Sequence, residues 1–162
     1  MNFDANSLRK VVEEYVSLVE SPDLRAELRL KSLPRVLDRL ASAVHEVSFT
    51  YDETDYPDAP DVDYESIYAL VRERFPQLGH YNLADPMTRR IGEASIVVGD
   101  GIDDIADILR DLKEVLWCWD HTSVDDALWH FTQSHSSHWG LHLRELQYYL
   151  HVLASGVDET VG

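Results

Sequence analysis

The sequence predicts an all-α fold, an antiparallel bundle of about five helices with a long acidic loop after the second helix. Two observations carry that prediction. Apolar residues recur at three- and four-residue steps through most of the chain, and helix-capping residues stand in front of those runs. At 162 residues the chain has the length of one domain, 1–162, and can bury a core without disulfides or metals as staples.

Ser7 is placed to cap a first helix through Leu8, Val11, Val12, Tyr15, Val16 and Val19. Ser21-Pro22 reads as a cap followed by proline in the first turn, where its missing N–H is harmless. The second helix follows with Leu24, Leu28, Leu33, Val36, Leu37, Leu40 and Val44, and Pro34 inside it predicts a kink or break. The stretch "YDETDYPDAPDVDYE", residues 51–65, holds seven acids, three tyrosines, two prolines and no base, and reads as a loop. Asp63 is placed to cap a short third helix through Ile67, Leu70, Val71 and Phe75. "PQLGHYNLADP" reads as irregular, and "ASIVV" is too short to assign. Asp100 opens the clearest helix, through Ile102, Ile105, Leu109, Leu112, Leu116 and Trp119. Ser123 opens the last, expected to run to about Leu153. Residues 155–162 read as a flexible tail.

Thirty acids against fourteen bases give a formal charge of −16. Such a surface repels the phosphate backbone, which argues against nucleic-acid binding, and attracts a basic protein instead. Cys118 is the single cysteine, which suits a reducing compartment, and a small buried residue is its expected role. No signal-peptide pattern or membrane-length apolar run is present, so a cytoplasmic, membrane-free setting is expected.

"FTQSHSSHWGLHL" places His135, His138 and His142 on the last helix. At ~100° per residue, Val124, Leu128, Phe131, Trp139, Leu146, Leu150 and Leu153 share one arc. His135 and His142 fall near its middle, His138 at its edge, His130 well off it and His151 nearly opposite. An inward imidazole needs a partner: a carboxylate, carbonyl, hydroxyl, water or metal. His138-x-x-x-His142 is an i, i+4 pair that can grip one ion. Metal-binding bundles of the DinB type pair such a motif with an earlier histidine, and by that resemblance in spacing His45 is a candidate third ligand. On the preceding helix, Asp103, Asp104, Asp107 and Asp111 form a stripe opposite the apolar face. Left uncovered, it is a solvated face; covered by another helix, it becomes a cation or basic-partner site within reach of His138.

Together, "GIDDIADILRDLKEVL" and "DDALWHFTQSHSSHWGLHLRELQYYL" resemble an uncharacterised bacterial family, the domain of unknown function catalogued with number 5063. Its pattern runs roughly D-D-L-A-D-I-Y-R-D-L-K and then S-H-W-G-R-H. Asp103, Asp104, Ala106, Asp107, Ile108, Arg110, Asp111, Leu112 and Lys113 match the first block. Trp129, Ser137, His138, Trp139, Gly140 and His142 match the second, while Leu109 and Leu141 depart from it. The resemblance is specific from Gly101 to Leu150 and weak before Pro86. It implies a helical fold, a bacterial source and adjacency of the two motif helices, and it assigns no reaction. Gly140, unfavourable mid-helix by roughly 1 kcal/mol against alanine, then marks a close crossing or a kink.

No phosphate loop, nucleophile elbow, H-E-x-x-H or C-x-x-C is present. The leading expectation is a non-enzymatic acidic module that binds a basic protein through Tyr51, Asp52, Glu53, Asp55, Tyr56, Asp58 and Asp61. The alternative is a metal-binding bundle or metal-dependent hydrolase using His138 and His142 with an aspartate from 103–111. No motif implies a cofactor, and a divalent metal is the ligand the histidine spacing admits. The candidate polar centre is Asp103, Asp104, Asp107, Asp111, His135, His138, His142 and Trp139.

Overall fold

Asp4, and not Ser7, caps the first helix. Its carboxylate accepts from the amide of Asn6 at 3.1 Å and from the Ser7 hydroxyl at 2.6 Å, and α1 then runs Ala5–Glu20. The computed structural model describes residues 4–156. Of the tail expected over 155–162, residues 157–162 therefore lie outside the described residues. Ser21 ends α1 instead of opening α2, its amide bonding Ser17 O at 3.0 Å. The second helix, α2, spans Ala26–Val44 and continues through Pro34 without a break. Asp63 caps α3, Tyr64–Arg74, by accepting from the amide of Glu65.

The stretch without an assignment forms a hairpin. Strands β1, His80–Ala84, and β2, Ile96–Asp100, pair antiparallel with Tyr81 opposite Gly99. Asp100 then caps α4, Gly101–His121, and Ser123 caps α5, Val124–Ser134. A single π turn, His135–Trp139, joins α5 to α6, Gly140–Ala154. The result is five helical rods and one small hairpin, an all-α bundle as the periodicity predicts. Among the described residues no helix is long and apolar enough to cross a membrane.

The position of α4 decides everything that follows. It packs against α1, α3, α5 and α6, so it is the bundle's central rod and has almost no face left for water. Tyr15 of α1, fully buried, donates to the Ile105 carbonyl at 3.0 Å. Ile105, Ile108, Leu109 and Leu112 meet Val12 and Val19 of α1, Phe131 of α5 and Leu143 and Leu146 of α6 in one continuous core.

One charged residue holds the far end of α1. Arg29, on α2, is 1% exposed. Its guanidinium donates to the carbonyls of Leu18, Val19 at 3.1 Å, Ser21 at 2.6 Å and Leu24 at 2.8 Å. Carbonyls at a helix C-terminus have no amide partner and carry the negative end of the dipole. The fork of Arg29 satisfies both needs, and its cation lies 5.8 Å from the centre of the Phe75 ring. Arg29→Met keeps the stem and strands four carbonyls. We expect it to lower unfolding free energy by roughly 2–4 kcal/mol, read as a lower urea midpoint at unchanged slope. Arg29→Lys is expected to recover little of it, because one ammonium cannot span four acceptors.

Candidate metal centre

The acid stripe is covered. Asp104, Asp107 and Asp111 are 2%, 7% and 8% exposed, which corrects the solvated-face reading of α4. A helical wheel assigns one interior side, whereas α4 is enclosed by neighbours on nearly every side. What covers the stripe is the π turn and the start of α6, and those bring His138 and His142 onto it.

Each imidazole meets a different carboxylate through Nδ1. His138 Nδ1 lies 2.7 Å from Asp111 Oδ2, and His142 Nδ1 lies 2.9 Å from Asp104 Oδ1. An ionised carboxylate offers only acceptors, so each Nδ1 carries the hydrogen and donates it. Both Nε2 atoms then converge on Asp107, at 3.7 Å from Oδ1 for His138 and 3.4 Å from Oδ2 for His142. One ligating atom from each of Asp107, His138 and His142 falls within 4.8 Å of the other two. The His138 and His142 side chains stay 35% and 22% exposed, so one side of the group opens to solvent.

A neutral imidazole that donates through Nδ1 presents a lone pair at Nε2. Two such lone pairs and a carboxylate therefore point at one another, and an array of acceptors demands a positive charge among them. Arg110 supplies part of it, with Nη2 3.1 Å from Asp107 Oδ1 and 3.4 Å from His138 Nε2, and Nε 3.4 Å from Asp111 Oδ1. The rest comes from protons or from a cation. Burial pushes the Asp107 carboxyl up from its ordinary value, with the His142 charge opposing. The hydrogen bond to Asp104 pushes His142 up, against the opposing effect of its own burial.

The surrounding hydroxyls fix the carboxylates. Tyr81 reaches from β1 to donate to Asp104 Oδ2 at 2.6 Å. It crosses β2 at Gly99, where a Cβ would collide with the phenol ring, and stacks on Tyr149 at 4.4 Å between centres. Burial and the bond to Asp104 push its hydroxyl well above the usual range. Tyr64 donates to Asp103 while its ring lies 5.4 Å from the Arg110 cation. Nothing near position 81 in the sequence signals this role, because the contact closes only when the hairpin folds back on α4.

The π turn explains why the two histidines face α4. It inserts one residue into the helix, which rotates the downstream face by ~100°. Leu143 therefore enters the core, where the wheel had placed His142, and His142 turns to the flank that α4 covers. Val124 at the start of α5 and Leu153 near the end of α6, both expected inward, are 44% and 47% exposed. Gly140 closes the turn by donating its amide to the carbonyl of His135. A Cβ there would press on that same carbonyl and stand 2.8 Å from the His135 ring nitrogen Nε2.

The remaining candidates separate. His135 lies outside the centre: it meets Trp139 edge-on at 4.7 Å, and burial lowers its pKa. Among the described residues, its buried Nε2 has no hydrogen-bond partner. Trp139 is a core residue that packs on Phe131 and donates to Ser134 Oγ at 3.0 Å. Asp103 pairs with Tyr64 and not with a histidine. His45 is exposed at the C-terminal end of α2, and its charge acts on His135. Asp107 stands in the third position that spacing gave to His45, because the α2 end is not brought to the pair.

The acidic loop is tied down at Asp52. That carboxylate accepts from Ser123 Oγ at 2.5 Å, the Thr54 amide at 3.0 Å and the Tyr56 hydroxyl at 3.0 Å. Ser123 first, then Thr54, hold it well below the usual carboxylate range. Tyr51 meets Trp129 edge-on at 6.4 Å. Glu53, Asp55, Asp58 and Asp61 remain exposed.

Fold and site together define an all-α bundle with a histidine–carboxylate centre between its central and last helices. The chain belongs to the domain-of-unknown-function family DUF5063, whose model matches residues 4–155. The match reaches well before Pro86, where the motifs alone were weak. Among solved structures, protein BF1032 from Bacteroides fragilis is similar at 14% identity and a TM-score of 0.75, over 95% of this chain and 94% of that one. At that identity the likeness shows the fold. No curated protein sequence matches the chain.

Gly140→Ala separates the close-packed turn from an ordinary helix. In a regular helix interior the change stabilises by about 1 kcal/mol. Here it is expected to destabilise by roughly 1–3 kcal/mol, measured by chemical denaturation. A stabilising outcome would mean that the π turn relaxes at no cost.

Proposed function

We propose that the protein binds one divalent transition-metal ion through Asp107, His138 and His142. The observation that carries this reading is the convergence of both Nε2 atoms on Asp107 while both Nδ1 atoms are held by Asp111 and Asp104. Histidines that ligate a metal commonly give their other N–H to a carboxylate, which fixes the tautomer and raises ligand basicity. Two histidines and one carboxylate on one face leave further coordination positions free. A metal bound there would supply an activated water, the basis of hydrolytic chemistry. Arg110, beside Asp107, is placed to orient an anionic group next to that water. The lone cysteine fits a reducing cytoplasmic setting.

Protein purified without an affinity tag is expected to carry near-stoichiometric zinc, manganese, iron or nickel. His138→Ala/His142→Ala and Asp107→Asn are each expected to lower that content by one ion per chain. Saturating the site at about a hundred times Kd should raise unfolding free energy by about 2.7 kcal/mol, roughly 5–10 °C in Tm for a chain of this size. Metal-free protein whose melting is unchanged by any divalent ion would refute the reading.

A second reading rests on the anchored loop. Its exposed acids Glu53, Asp55, Asp58 and Asp61 are displayed on a segment pinned by Asp52, and an ordered acidic face suits a basic protein partner. Retention of such a partner is expected to fall with salt and to be lost when these four acids become amides. Retention unchanged by the four substitutions removes the loop from recognition.

A further inference from the structure

A second cluster of ligating side chains lies apart from Asp107, His138 and His142. Cys118 of α4 and Asp126 and His130 of α5 each place one ligating atom within 4.8 Å of the other two. All three line a cavity of about 740 Å³ that residues 54–62 of the acidic loop wall on the opposite side. Cys118 is 2% exposed, and its buried thiol lies within reach of Asp126 and His130. Asp126 and His130 are four residues apart and so share one helix face. His130 Nδ1 lies 3.2 Å from Glu114 Oε1, and its Nε2 faces Asp126 Oδ1 at 3.9 Å. One ring nitrogen is thus held by a carboxylate while the other is turned toward the cluster, the arrangement typical of a ligating histidine.

We propose that Cys118, Asp126 and His130 form a zinc-type site, with Glu114 positioning His130 and the cavity leaving a fourth coordination position open. Sulfur, nitrogen and oxygen ligands in one set match zinc, whose bonds to them run about 2.0–2.3 Å. Ligand atoms on one ion then stand at most ~4.4 Å apart, so small side-chain rotations close the observed separations. The site shares no ligand with Asp107, His138 and His142, and it stands or falls independently of the proposed function.

Cobalt(II) titration of the metal-free full-length chain tests it. Cys118 is the chain's one cysteine, so a thiolate-to-cobalt charge-transfer band in the near ultraviolet reports this site and no other. The band is expected in both the wild type and His138→Gln/His142→Gln, with the same final intensity per chain, and in the double variant it saturates at one cobalt per chain. In His130→Gln and Asp126→Asn, shown by circular dichroism to be folded, cobalt affinity should fall roughly tenfold or more, and in Glu114→Gln by about 10–100-fold. Absence of the band in the wild type at saturating cobalt overturns the proposal. So does a band whose affinity is unchanged in both His130→Gln and Asp126→Asn.

Discussion

Three carboxylates on the innermost helix are the constraint to which the rest of the structure answers. Burying an ion carries a penalty of several kcal/mol even after relaxation, and removing the partner of a buried charge commonly destabilises by about 3–5 kcal/mol. Asp104, Asp107 and Asp111 are buried, so whatever packs on that face of α4 must bring donors. The donors come from separate parts of the chain: Tyr81 from the hairpin, His138 from the π turn, His142 from α6 and Arg110 from α4 itself. The hairpin is thereby tied to the last helix through one carboxylate, because Tyr81 and His142 both bond Asp104.

The backbone devices that permit this are two glycines and one irregular turn. Gly99 lets the Tyr81 ring pass over β2, and Gly140 lets the helix close around His135. A regular helix through 124–154 would keep His142 on the apolar face and displace Leu143 from it. With the extra residue, Trp139, Leu143, Leu146 and Leu150 fill the core in unbroken succession. The histidines beside them become free to meet α4. Packing and polar pairing are therefore satisfied by the same local distortion.

Much of the bundle was legible from periodicity and caps. Asp63, Asp100 and Ser123 cap the helices they precede, since a short polar side chain before an apolar run leaves the backbone few alternatives. The caps failed where two candidates competed: Asp4 outreaches Ser7, and Ser21 belongs to the end of α1, with Arg29 supplying the donors there. The hairpin was illegible because its strands are five residues each and Ile96, Val97 and Val98 remain exposed, so no burial pattern marks them. At the centre, His138, His142 and the aspartate stripe were visible as residues. Their pairing was not, because the wheel holds no record of a π turn or of a helix enclosed on several sides. Cys118 and His130 carried only local readings: a soft buried residue and a ring off the apolar arc.

What sets the polar centre apart from an ordinary satisfied core is its balance of donors and acceptors. Packing alone would be served better by apolar residues of similar size, which often match or exceed a buried ionic group in stability. A structural histidine is satisfied when one nitrogen donates and the other accepts. Here each ring donates through Nδ1 to its own carboxylate and turns its other nitrogen toward a third; the one guanidinium there also reaches His138 Nε2 at 3.4 Å, so among the described residues His142 Nε2 is the acceptor left facing a carboxylate alone. No reorientation of Asp107 removes the excess, because both of its oxygens already face nitrogen. A proton on each ring neutralises the group at the cost of two imidazolium ions next to Arg110. A single divalent ion meets the same three atoms at once, adds no like-charged neighbour on the rings, and leaves Asp104 and Asp111 in the hydrogen bonds they already make.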